Sequence, residues 1–273
     1  MNALALSVGG GGSNLEAMGD EHITPAMIRA MKGTAIPALT AYDYAMTRVL
    51  DDAGIPLILV GDSLGMVVLG YPDTTHVTLD EMEHHVRAVA RAKPSGLIVA
   101  DMPYRTYENV ADALGTAKRL LNAGAGAVKA EGGREILDQI RAIVAEGFPF
   151  MGHLGMLPQH VKEEGGYRVK GKVESEHLAL LEDAKALESA GAFSVVLELV
   201  TPPVAREITR AISIPTIGIG AGNGCDGQIL VTTDLWGTSP DYIPRHVKMR
   251  PDLGGQMRAV IKDWVKSIAN DHE

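Results

Sequence analysis

The sequence predicts an α/β protein of the (β/α)8-barrel class, a TIM barrel, and three observations carry that prediction. Eight short apolar runs recur along the chain, each ending in a polar residue or glycine and most followed by an amphipathic segment. Small and branched aliphatic residues are plentiful while aromatics make up only 4%, as suits a parallel sheet covered on both faces. The 273 residues suit one barrel of about 250 residues with a short extension. The expected organisation is a flexible tail over residues 1–20, carrying Gly9–Gly12, and one barrel domain over 21–273.

Taken in order, Thr24–Met31 reads as a helix that closes the barrel bottom ahead of the first strand. The strand runs are Ile36–Tyr42, Leu57–Asp62, Leu97–Met102, Ala127–Glu131, Phe150–Leu154, Ser194–Leu199, Thr216–Gly220 and Ile229–Asp234. Between them Val110–Ala123, Ile136–Ala145, His177–Ala190 and Pro203–Ala211 place apolar residues at helical spacing. Gly124, Gly147 and Gly191 fall where left-handed helix caps belong. Thr78-Leu79-Asp80-Glu81 has capping-box spacing and starts the second-unit helix. The Gly65–Gly70 stretch before it is too long for an ordinary connection and reads as a functional loop. A Pro- and Gly-containing stretch follows Asp234, and a last helix follows Gly255. Strands that alternate with helices require right-handed crossovers, and eight such units suggest closure.

Bulk properties narrow the function. A net charge of −9 disfavours phosphate backbones as partners. No apolar run approaches membrane length, and the N-terminus has no basic region of the kind a signal peptide carries. Cys225 is the single cysteine, so no intrachain disulfide forms and a reducing cytoplasm is compatible. Nothing near Cys225 activates it as a nucleophile. Gly218–Gly222 lacks the full dinucleotide-binding spacing and is better read as a close turn beside a ligand.

Barrel chemistry sits at the C-terminal strand ends. Here those ends carry Asp43, Asp62-Ser63, Asp101, Lys129, Glu131, His153 and Glu198. Any one carboxylate there can be a helix cap, but several at one mouth repel each other unless a cation compensates. Asp62, Asp101 and Glu131 are oxygen ligands of the kind Mg2+ prefers, and a bidentate 2-oxo acid would add two more oxygens. Lys129 and Glu131 are two apart and share a face. A neighbouring carboxylate keeps a lysine charged, which favours electrostatic substrate binding over an imine, with a barrel-layer salt bridge as the alternative. Glu198 is a lone carboxylate in Val195–Val200, where a raised pKa suits a general base; a loop amide that satisfies it is the alternative. His153 is read equally as a core histidine or a catalytic one, and His84 and His85 as surface residues of a helix.

These residues stand in motifs that resemble the ketopantoate hydroxymethyltransferase family from about Ala35 onward. The motifs are Leu39–Asp43, Val60–Met66, Ala100–Pro103, Val128–Gly133, Gly152–Gly155, Gly165–Tyr167, Leu197-Glu198, Gly218–Gly222 and Asp226–Gln228. The resemblance implies the barrel arrangement of the phosphoenolpyruvate/pyruvate superfamily and Mg2+ held through Asp62, Asp101 and Glu131. It implies that Asp62, Ser63, Asp101 and Lys129 bind the 2-oxo acid, joined by His153 as a candidate, and that Glu198 is the base. It further implies 5,10-methylenetetrahydrofolate as co-substrate and a cytoplasmic homo-oligomer, usually a decamer. Departures fall at Ala130, Tyr71–His76, Tyr104-Arg105, Leu157 and His160; none removes a matched catalytic position. Two rival readings are a metal-dependent lyase or mutase of the same superfamily, whose Lys-Lys-Cys-Gly-His type of loop is absent, and a barrel kept only as a binding scaffold.

Overall fold

The computed structural model describes residues 22–240, 242–248 and 251–270; the tail expected over 1–20 lies outside them. The elements in order are α1 Pro25–Ala30, β1 Ile36–Thr40, α2 Tyr44–Asp52, β2 Leu57–Val60, α3 Leu64–Val67, α4 Leu79–Ala90 and β3 Leu97–Asp101. There follow α5 Val110–Asn122, β4 Ala127–Glu131, α6 Leu137–Ala145, β5 Phe150–Gly155, α7 Glu174–Ser189, β6 Ser194–Glu198 and α8 Pro202–Ala211. The last are β7 Thr216–Ile219, β8 Gly227–Leu230, α9 Thr232–Trp236 and α10 Leu253–Asn270. The eight strands are all parallel and close in sequence order, with β1 paired to β8.

The local reasons are those the sequence supplies. The Thr78 hydroxyl accepts from the Glu81 N–H while the Glu81 carboxylate reaches back to the Thr78 N–H, so the capping box starts α4. Gly124, Gly147 and Gly191 sit at φ 113°, 79° and 100° just past α5, α6 and α7. Inside the barrel, Ala38, Leu57, Val99, Ala127, Val196 and Ile217 pack in one buried cluster, and Ile28 of α1 joins it to plug the bottom. A second cluster fills the shell between strands and helices. Interior layers of branched residues make this a packed core and leave room for a ligand only at the mouth.

One expectation changes at the end of the barrel. The eighth strand is Gly227–Leu230, not Ile229–Asp234. The Thr232 N–H and hydroxyl bond the Thr40 hydroxyl and carbonyl at 3.0 and 2.5 Å, which stops strand pairing and turns the chain into α9. The connection from β7 to β8, residues 220–226, contains no helix. Asp226 ties it down instead, accepting from the Thr216 N–H at 2.8 Å and pairing with Lys32 at 2.9 Å. After α9, residues 237–240 and 242–248 form a strap that lines the mouth through Ser239, Pro240, Tyr242 and His246. In α10 only Gly254 is buried, while Val260, Trp264 and Val265 stay more than half exposed. No helix among the described residues is long and apolar enough to cross a membrane.

Candidate active site

Strand register assembles the site. Asp101 lies beside Lys129, Glu131 beside His153, and Gly155 beside Glu198 across β3 to β6. Asp62 follows β2, and its N–H donates to Asp101 Oδ2 at 3.0 Å. The Lys129 ammonium pairs with Asp101 Oδ1 at 2.8 Å and donates to His153 Nδ1 at 3.0 Å. An ammonium has no acceptor, so His153 Nδ1 must accept and its proton sits on Nε2. That Nε2 is buried without a hydrogen bond and faces Glu198 Oε2 at 3.4 Å. Asp62, Asp101, Lys129, Glu131 and His153 are each at most 4% exposed.

The backbone around Glu198 is tightly constrained. Gly155 adopts φ 99°, and a Cβ there would lie 2.2 Å from the Glu198 carbonyl oxygen, so glycine is required. Leu199, next to Glu198, holds φ 48°, a conformation costing a non-glycine residue roughly 1–2 kcal/mol. Neighbouring contacts fix it: the Leu199 N–H donates to Ile219 and its carbonyl accepts from the Lys170 N–H.

Electrostatics follow from burial and crowding. Burial, then the neighbouring Asp101 charge, pushes Asp62 well above the usual carboxylate range. Glu131 is raised by burial and by Asp62. Burial pushes Glu198 up to about 7, with Lys129 and His246 pulling the other way. For Lys129, burial favours the neutral amine, but Asp101, Glu131 and Asp62 prevail and raise its pKa, so it stays an ammonium. Burial, then Lys129, holds His153 well below the ordinary imidazole range, so it is neutral.

A cavity of about 700 Å3 opens over these groups. Its floor is polar, and its walls include Met66, Val67, Val169 and Leu199, with Tyr242 and His246 from the strap. The Gly65–Gly70 stretch, read as a loop, holds part of helix α3 instead, and Met66 and Val67 of that helix line the cavity. Ser63 lines the cavity and shares a 2.9 Å hydrogen bond with the Tyr42 hydroxyl. Asp43 does not join the site: it is the N-cap of α2 and accepts from the Met46 N–H at 2.7 Å. His85, expected at the surface, is half-buried and bonds the Tyr42 carbonyl at 2.7 Å. Burial raises the Cys225 thiol, in keeping with an unactivated cysteine. Sequence reading missed Gln159, Tyr107 and His246, contributed by a turn and irregular connections, and Asp234, contributed by α9.

The donor set suits a hard cation. Asp62, Asp101, Glu131 and Glu198 crowd one buried mouth with Lys129 as the compensating ammonium, and Asp101 Oδ1 takes no hydrogen bond beyond its ion pair. Among the described residues no three His, Cys, Asp or Glu side chains already stand in a metal-holding group. Mg2+ needs only one or two carboxylates and completes its shell with water and substrate oxygens.

Fold and site together define a barrel enzyme with an anionic, lysine-bridged mouth. Comparison with known proteins gives the family. Residues 22–272 match the profile of ketopantoate hydroxymethyltransferase. The 3-methyl-2-oxobutanoate hydroxymethyltransferase of Syntrophus aciditrophicus is 48% identical over 91% of this chain and 93% of its own. That of Ignicoccus hospitalis is 49% identical over 90% and 94%, and that of Nitratidesulfovibrio vulgaris 53% identical over 90% and 81%. The chain belongs to the ketopantoate hydroxymethyltransferase family. Among solved structures, a putative phosphonomutase from Burkholderia cenocepacia aligns with a TM-score of 0.66 at 16% identity, over 88% of this chain and 97% of that one. A 2,3-dimethylmalate lyase of the PEP mutase/isocitrate lyase superfamily aligns at 0.59 and 16% over 92% and 89%. At that distance they show the barrel fold alone.

Proposed function

We propose that this enzyme transfers a hydroxymethyl group from 5,10-methylenetetrahydrofolate to 3-methyl-2-oxobutanoate, giving 2-dehydropantoate for pantothenate biosynthesis. The observation that carries the reading is the bonded row Asp101–Lys129–His153 with Glu198 3.4 Å beyond it, which sets an ammonium, an imidazole N–H and a carboxylate base along one cavity floor. Relatives close to 50% identical are named for that activity, which supports the reading.

In this reading Lys129 binds an oxygen of the 2-oxo acid by charge, with Asp62, Ser63, Asp101 and His153 orienting it. Glu198, an acid near 7, is ionised often enough at neutral pH to take the C3 proton. Asp62, Asp101 and Glu131 would hold Mg2+, which when bound stabilises negative charge developing on the substrate's carbonyl oxygen. The C3 carbon forms one bond to the donor methylene, whose two C–N bonds break. Water leaves its hydroxyl on that carbon, and the two freed nitrogens gain one proton from water and one from C3. The apolar walls exclude bulk water, so charges on the floor act at short range. The exposed apolar face of α10 supports a homo-oligomer, which the family resemblance makes a decamer.

The test is transfer by the purified chain. With 3-methyl-2-oxobutanoate, the folate donor and Mg2+ it should yield the hydroxymethylated acid by mass spectrometry. Chelation of divalent ions should stop the reaction and added Mg2+ restore it. Product formation that chelation leaves untouched would remove the metal from the reading.

A further inference from the structure

The single turn Pro158–His160 after β5 carries a residue, Gln159, that hydrogen-bonds two carboxylates of the acidic floor. Gln159 is 2% exposed. Its Nε2 donates to Asp62 Oδ2 at 2.8 Å and to the Met102 carbonyl at 3.0 Å. Its Oε1 accepts from the Tyr107 hydroxyl at 2.6 Å. Its backbone N–H donates to Glu131 Oε2 at 2.9 Å. Both N–H donors and the oxygen of the side-chain amide are therefore engaged. The orientation is unambiguous, because a flipped amide would set its oxygen against a carboxylate and a carbonyl. Tyr107 is itself buried, and its hydroxyl also reaches the Glu131 carbonyl at 3.3 Å.

We infer that Gln159 is a positioning residue that clamps Asp62 through its side chain and Glu131 through its main chain, presenting both carboxylates to a divalent cation. A neutral clamp has a chemical logic here. A lysine or arginine at this place would neutralise the carboxylates and compete with the cation, whereas an amide fixes one oxygen of Asp62 and leaves its charge intact. The backbone N–H does the same for one oxygen of Glu131. Lys129 pairs with Asp101 instead, so the ammonium and the amide divide the floor between them. Tyr107 acts one step further out, holding the amide from its far side. This inference rests on the metal site proposed above.

The test measures Mg2+ binding by calorimetry on the full chain without substrate, so it does not depend on turnover. Gln159→Leu keeps the backbone arm and removes the side-chain arm. It should weaken Mg2+ about 10–100-fold, as loss of an outer partner of a metal ligand does. Proton exchange at C3 should then recover most of the wild-type rate when Mg2+ is raised to saturation. Tyr107→Phe leaves Gln159 in place but frees its Oε1. A smaller loss is expected there, and the double variant should bind little more weakly than Gln159→Leu alone, since the shorter contact of the Tyr107 hydroxyl is the one to Gln159. If Gln159→Leu fails to fold, Tyr107→Phe carries the test. Wild-type Mg2+ affinity in both single variants, even with a lowered melting temperature, would overturn the inference and make Gln159 merely structural. Absence of Mg2+ binding by the wild-type chain would instead overturn the metal site itself.

Discussion

Glu198→Gln is expected to slow proton exchange at C3 of 3-methyl-2-oxobutanoate by about 10²–10⁴-fold, the usual cost of losing a general base. The substitution keeps size and removes the ability to accept a proton, while Lys129 and the carboxylates remain to bind substrate. Hydroxymethyl transfer should fall in step, with KM for the 2-oxo acid little changed. The pH profile supplies a second check. A base works only when ionised, and Glu198 titrates at about 7 because burial raises it, offset by Lys129 and His246 and reinforced by Asp101. Wild-type exchange should therefore climb as pH rises and level off above about 7. Glu198→Gln should lose that limb. If the variant exchanged at the wild-type rate yet failed in transfer, Glu198 would belong to the donor half of the reaction.

Lys129→Met should have an effect of comparable size and a second consequence that Glu198→Gln lacks. Loss of one preorganised group that stabilises developing negative charge costs about 10²–10³-fold in rate. Stability should fall too. Removing one partner of a buried ion pair typically costs about 3–5 kcal/mol because the other charge is left uncompensated, and Lys129 is the counter-charge to Asp101, Glu131 and Asp62. Added Mg2+ should restore part of the melting temperature if a cation binds among those carboxylates, and none if it does not. Borohydride added to the wild-type protein with the 2-oxo acid should trap no adduct, since an ammonium held charged is a poor imine former. A reduced adduct mapped to Lys129 would reverse that assignment.

Much of this floor was legible because β-strand geometry leaves a plain record in sequence. A strand that is apolar on both faces and ends in Asp or Glu marks a barrel mouth, and β3, β4 and β6 do so with Asp101, Glu131 and Glu198. Two-residue spacing alone put Lys129 and Glu131 on one face. The same rule misplaces Asp43, since a carboxylate after a strand serves equally well as the cap of the next helix, and only the bond to Met46 tells the two apart. The end of the barrel was harder for a different reason. Ile229–Asp234 is apolar enough to be a strand, and what cuts it short is Thr232 bonding to Thr40, a contact 192 residues away in sequence.

Groups that join the site from outside the strands left no periodic trace. Gln159 sits in one turn between β5 and α7, where a glutamine has no reason to stand out. His246 comes from the strap after α9, and Asp234, held by the Ser239 hydroxyl, from α9 itself. Their place is set by tertiary contacts, so it emerges only once the barrel is closed. The family motifs covered the strand ends and passed over these residues, and they are where this chain's own properties are to be sought.

The claim at the centre of this account is that the buried floor ionises a 2-oxo acid at C3 before any one-carbon unit arrives. The most direct measurement is hydrogen–deuterium exchange at C3 of 3-methyl-2-oxobutanoate, followed by proton NMR in heavy water with the purified chain and Mg2+, and no folate. The account predicts enzyme-dependent loss of the C3 signal that chelation abolishes and Mg2+ restores. A C3 signal that persists without folate, in a preparation that still completes hydroxymethyl transfer when folate is added, would contradict it.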